Sequence, residues 1–124
     1  MLLVRKPGLK FMARIGVSAW DWSTASFTRD GAWHAHDVSS IVPAKAKMVR
    51  ICVNMRGSTS AESISFRPTG DTGTIGMGYI QAQGISITGW RNFEIPITGV
   101  GTFDYKANSA GVTDFNMSVA GWWF

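Results

Sequence analysis

Two histidines stand one residue apart beside an aspartate, at His34, His36 and Asp37, and they are the only histidines in the chain. An H-x-H pair on a β-strand puts both imidazoles on one face, where a third ligand from a neighbouring strand would complete a zinc or iron site. The sequence offers no third histidine and no thiol nearby, so carboxylates or waters would have to fill the remaining positions. With Trp33 and Ala35 on the inward face, His34 and His36 are expected on a solvated one, and no metal is expected there. Asp37, just before Val38-Ser39-Ser40, suits a turn in which its carboxylate accepts backbone N–H bonds.

Other chemistries find less support. A glycosidase pair would have to be drawn from Asp21, Asp30, Asp37, Glu62, Asp71, Glu94, Asp104 and Asp114, most of which fall at turns or alternate outward, and nothing singles out two of them. The serines lack a G-x-S-x-G elbow. Gly76-Met77-Gly78 lies among strand signals, with no G-x-G-x-x-G opening a helix. Cys52, alone and between Ile51 and Val53, excludes an internal disulfide and is expected to be buried and inert. No enzyme, catalytic residue or cofactor is indicated.

The elements that hold these residues are short. Fourteen glycines and many Ser, Thr and Asn residues divide the chain into apolar-alternating runs at intervals of about ten residues, the pattern of an all-β sandwich or barrel. Expected strands are Arg14 to Trp20, Ala32 to Val38, Ala46 to Met55, Glu62 to Arg67, Thr74 to Gln83, Ile85 to Thr88, Phe93 to Ile97, Thr102 to Lys106 and Thr113 to Ala120. Alternation is clearest where Val49, Ile51, Val53 and Met55 face one way, and again at Phe115, Met117 and Val119. No stretch of helical length has a 3.6-residue apolar period. The 124 residues suffice for one domain with its own core. The expectation is an antiparallel jelly-roll-like sandwich of about eight strands over residues 14–124, preceded by an extended arm, residues 1–13.

Charge is concentrated in that arm. The net charge is +4, and Arg5, Lys6, Lys10 and Arg14 are the only ionised side chains before Ile15. Twelve basic residues less these four leaves eight, against eight acidic ones, so the body is neutral. Nucleic-acid binding needs clustered cations on the folded surface and is not expected. Nothing approaches the ~20 apolar residues of a membrane span, and Met1 to Phe11 lacks the apolar region and cleavage site of a signal peptide, so neither membrane nor export is expected. Leu2, Leu3, Val4, Leu9 and Phe11 interleave with Arg5, Lys6 and Lys10, as in an arm that docks on something.

The six tryptophans are uneven. Trp20, Trp33 and Trp90 suit core or core-edge positions. In Trp122-Trp123-Phe124 neighbouring rings must point opposite ways, and Trp20-Asp21-Trp22 is not expected to bury both of its rings, so one of each pair should meet a partner chain, a glycan or the arm. Trp22 and Trp90 are the candidate sugar-stacking residues. Trp122, Trp123 and Phe124 join the arm as a candidate assembly interface.

The passage Asp30-Gly31-Ala32-Trp33-His34 through Asp37-Val38-Ser39-Ser40-Ile41-Val42-Pro43-Ala44, then Val49 to Val53, Ile64-Ser65-Phe66-Arg67 and the closing Val119-Ala120-Gly121-Trp122-Trp123, resembles small jelly-roll modules of tailed-phage and prophage structural proteins. The resemblance implies a virion location and a non-enzymatic structural role. Capsid decoration on a major capsid or other virion protein leads, with a homo-oligomer, a trimer by preference; a tail-fibre or tail-tip glycan-binding module is the alternative. With no fibre shaft or large anchoring domain in the sequence, a small protein clipping onto a larger assembly is expected.

Overall fold

Val49, Ile51, Val53 and Met55 occupy one side of the ten-residue strand β3 (Met48–Gly57), while Phe115, Met117 and Val119 line one side of β8 (Val112–Trp123). All seven are fully buried, and these two strands form the long central ladder of one sheet. The computed structural model describes residues 8–73, 76, 78–84, 87–97 and 99–124. The other strands there are β1 (Phe11–Ala13), β2 (His34–Asp37), β4 (Ser63–Pro68), β5 (Gly78–Gln81), β6 (Gly89–Pro96) and β7 (Thr102–Ala107), with one 3₁₀ turn at Thr24–Ser26.

Two four-stranded antiparallel sheets result, ordered β1-β8-β3-β6 and β2-β7-β4-β5. Pairing is nested: β4 with β5, β3 with β6, β2 with β7 and β1 with β8. A long antiparallel ribbon wrapped on itself gives this order, and the further pairings β3–β8 and β4–β7 complete each sheet. This is the jelly roll, and the expected all-β sandwich is the observed fold.

Between the sheets Phe27 stacks on Phe115 with centroids 3.8 Å apart and rings 7° from parallel. Phe66, Phe103 and Ile64 face them from the second sheet, all fully buried. Each such side chain contributes roughly 1.5–3 kcal/mol by leaving water. The Asp37 to Pro43 passage closes one end. Ser39 N–H donates to Asp37 Oδ1 at 2.8 Å and Val42 N–H to the Val38 carbonyl at 2.9 Å, which turns Val38 and Val42 into the core. The bond to Ser39 holds the Asp37 carboxyl below its ordinary pKa.

Three expectations about elements change. Arg14 to Trp20 is not a strand: Ile15 and Val17, which would share one strand face, are 90% and 40% exposed, and the chain leaves the sheet edge through Gly16 at φ 76°. Strand β6 starts at Gly89 instead of Phe93, because Trp90, Arg91 and Asn92 pair with β3 while exposing their side chains and so carry no burial pattern. Of the expected Thr74–Gln83 and Ile85–Thr88 strands, Thr74, Ile75, Met77, Ile85 and Ser86 lie outside the described residues; Ile87 and Thr88 belong to no strand.

The histidine face is also reversed. Ala35 is exposed, whereas His36 is buried among Trp22, Phe27, Phe103 and Tyr105. Val38 sets the phase: it points into the core, so His36 two residues earlier does too, while Trp33 lies outside against Arg67. His36 Nε2 has no hydrogen-bond partner among the described residues, and burial lowers the imidazole pKa from 6.5 to about 4, nearby Asp37 opposing weakly.

Between pH 6.5 and 4 the unfolded chain therefore holds more protons at His36 than the folded one, and stability falls as pH falls through that window. The loss reaches up to about 3 kcal/mol below both values. His36→Phe should flatten this part of the pH dependence of the urea midpoint. An equally steep acid loss in the variant would contradict the assignment.

Candidate functional site

The outer face of the β1-β8-β3-β6 sheet and its β1 edge bring together most of the residues that are exposed without being ordinary solvated side chains. The reason starts at β8. Its register against β3 shifts between the Gly121–Arg50 and Val119–Ile51 pairs, leaving Ala120 as an extra, bulged residue. On its other edge, β8 pairs first with β1, then receives the Arg14 N–H at the Ala120 carbonyl, 2.9 Å, and regains a partner only at Met117, which bridges Trp22. The intervening residues, 15–21, form a strap that arches away from the edge.

Asp21 fastens that strap. Its Oδ2 accepts from Arg14 Nη1 at 2.5 Å and from the Val119 N–H at 2.8 Å, supplying the hydrogen bond a neighbouring strand would have made. The contact raises the Arg14 pKa, chiefly through the side-chain hydrogen bond. Ser118 Oγ, within 3.3 Å of both the Asp21 N–H and the Ala19 carbonyl, closes the far end.

Beneath the strap lies a groove of about 480 Å³ with Arg14, Val17 and Trp20 on the strap side, Cys52 and Ser118 on the sheet, and Trp90 at the far wall. Trp90 is 62% exposed, and Trp20 leans on it with centroids 5.2 Å apart at 36°. Cys52 is half-buried on this outer face, not fully buried as expected, because the Val49 to Met55 alternation turns it away from the core; burial raises its thiol pKa. Register places Asn54 opposite Trp90 and next to Asn116, and Asn92 opposite Cys52. Asn116 Nδ2 donates to Asn54 Oδ1 at 2.8 Å.

At the β1 edge, Phe11 lies against Trp123 at 4.9 Å with the Arg50 guanidinium 4.7 Å from its ring. Gly121 makes this contact geometrically available: a Cβ there would meet the Phe11 ring and come within 2.6 Å of the Met12 carbonyl. Lys10 and Phe124 exchange both backbone hydrogen bonds, 3.3 and 2.9 Å. Phe11, expected in the arm, is thus part of the sheet, and the arm is folded back along its own sandwich from Lys10 onward. Leu2, Leu3, Val4, Arg5 and Lys6 lie outside the described residues.

Of the two sugar-stacking candidates, Trp90 is in the groove, whereas Trp22 packs on the core and meets His36 edge-on at 4.3 Å. Trp20, expected near the core, takes the groove position instead. Strand alternation would put Trp20 and Trp22 on the same face; they separate because residues 15–21 leave the sheet and Trp22 rejoins it opposite Met117. Trp122 packs on the core and Trp123 on Phe11.

The remaining reactive groups are occupied locally. Arg14, His34, Arg50, Arg56 and Arg67 pair with Asp21, Asp30, Glu94, Asp114 and Asp104. The His34 contact holds the exposed Asp30 carboxyl below its ordinary pKa. Asp37, Glu62 and Asp71 accept from Ser39, Ser109 and Gly73. No group of three metal-ligating side chains occurs among the described residues. Comparison of the chain with protein-family models, with curated proteins and with solved structures finds no match.

Asp21→Asn keeps the side-chain shape but removes the charge that serves both Arg14 and Val119. It should lower unfolding stability by about 1–3 kcal/mol, and Lys at position 14 should substitute poorly for Arg. Denaturant midpoints and amide-exchange rates at Val119 measure this; unchanged protection at Val119 would show that the strap is held otherwise.

Proposed function

We propose that the protein is a non-enzymatic structural component of a tailed-phage virion, a decoration protein that docks on a major capsid or other virion protein and oligomerises, a trimer by preference. The observation that carries this reading is the β1 edge. Strand β1 is three residues long and stands at the border of its sheet, with Leu9, Met12, Ile15 and Phe124 exposed around it. Because Lys10, Arg14 and, by the two-residue period, Met12 direct their backbone groups to β8, those of Phe11 and Ala13 point to the free side, where a strand from another chain can add.

Sequence supports the same edge. The cations Arg5, Lys6 and Lys10 and the apolar Leu2, Leu3 and Val4 immediately precede it in the sequence, so the chain that leads into the unpaired backbone is both apolar and cationic. Soluble monomers seldom leave an apolar border strand uncovered. The occupation of the carboxylates by local partners and the buried position of His36 favour a binding role over catalysis.

Removal of residues 1–9 keeps Lys10, whose backbone pairs with Phe124, and should leave the sandwich folded while weakening retention on particles; Ala13→Pro, which blocks strand addition at the free side of β1, should abolish it. Mass spectrometry of density-purified virions should find the parent protein at a fixed ratio to the major shell protein. Its absence from virions, or undiminished retention of the shortened chain, would overturn the proposal.

A further inference from the structure

We infer that the groove under the strap is a binding site for one neutral hexopyranose ring, the terminal unit of a glycan, stacked on Trp90. This is a second site, independent of the docking edge. Its volume of about 480 Å³ lies in the usual range of small-ligand sites, ~300–1,000 Å³. The open indole of Trp90, 62% exposed, provides the flat apolar surface that the C–H face of a pyranose covers. Trp20, tilted 36° against it, gives the platform a second wall.

Ser18 and Ser118 bring hydroxyls to the groove itself, and amides stand beside it on the same sheet face, Asn54 largely buried there. Asn54 stands across the ladder from Trp90, and Asn92 follows two residues later on the same face. The Asn116-to-Asn54 hydrogen bond leaves Asn54 Nδ2 as donor and Asn116 Oδ1 as acceptor, neither with a protein partner among the described residues. Donor and acceptor side by side match sugar hydroxyls, which act as both.

Charge selects the class of sugar. Arg14 is neutralised by Asp21 at the groove, and Arg50 by Glu94 and Arg56 by Asp114 on the same sheet face, while partial burial raises the Cys52 thiol pKa. Among the described residues of this face, an anionic sugar, phosphate or acidic peptide would find no unpaired cation to replace its lost hydration. A neutral ring requires none.

The test is an array of neutral and anionic mono- to tetrasaccharides, followed by calorimetry with the best neutral ligand. The parent protein should bind neutral glycans, and Trp90→Ala should weaken binding by about tenfold or more. Asn92→Ala should weaken it less, and Tyr79→Ala, which removes an exposed ring on the opposite sheet, should bind like the parent. Unchanged thermal melting of Trp90→Ala excludes unfolding as the cause. Silence toward neutral glycans, preference for anionic ones, or binding indifferent to Trp90→Ala would each overturn the inference. Protection of the groove by a protein partner alone, with no glycan bound, would overturn it equally.

Discussion

The antiparallel ladder between β3 and β8 is the constraint on which the other features depend. Its inner side supplies Val49 to Met55 and Phe115 to Val119 to the core, and its outer side is the sheet floor of the groove. Both outer neighbours hang from it, β6 on β3 and β1 on β8. Even the strap depends on it: the bulge at Ala120 shifts the β8 backbone just where β1 ends, so that continued strand pairing gives way to a carboxylate, Asp21, capping Val119. A break in the ladder would therefore remove core, groove and edge together.

The fold was largely legible because burial and alternation coincide in the central strands. Val49, Ile51, Val53 and Met55 have no other way to leave water than to share a face, and the same holds for Phe115, Met117 and Val119. The border elements were less legible for the same physical reason in reverse. Strand β6 exposes Trp90, Arg91 and Asn92, so its start is fixed by backbone pairing opposite Met55, Asn54 and Val53, which leaves no apolar period. The Arg14 to Trp20 run had an apolar alternation but no inner surface left to cover.

The candidate site turns on phase, which local pattern does not fix. Ala35 and Trp33 look more apolar than the histidines, yet Val38 commits the even positions of β2 to the core, and Trp33 finds cover outside between Arg67 and Lys106. In the same way Trp22 rather than Trp20 enters the core because it bridges Met117, an inward residue of β8. A single long-range pairing decides which of the two rings is free, where local alternation alone would have kept both on one face.

The proposed docking edge and the proposed sugar groove share β8 but ask opposite things of it. Strand addition at β1 needs exposed backbone and tolerates many side chains, whereas the groove needs Trp20 and Trp90 held at a fixed angle. Asp21 separates the two demands. By tying Arg14, the last residue aligned with the edge, to Val119 beside the groove, it makes the strap's position independent of what pairs with Phe11 and Ala13. Occupation of the edge by another chain would then leave the tryptophan face open, so the two proposed roles are compatible on one small sandwich.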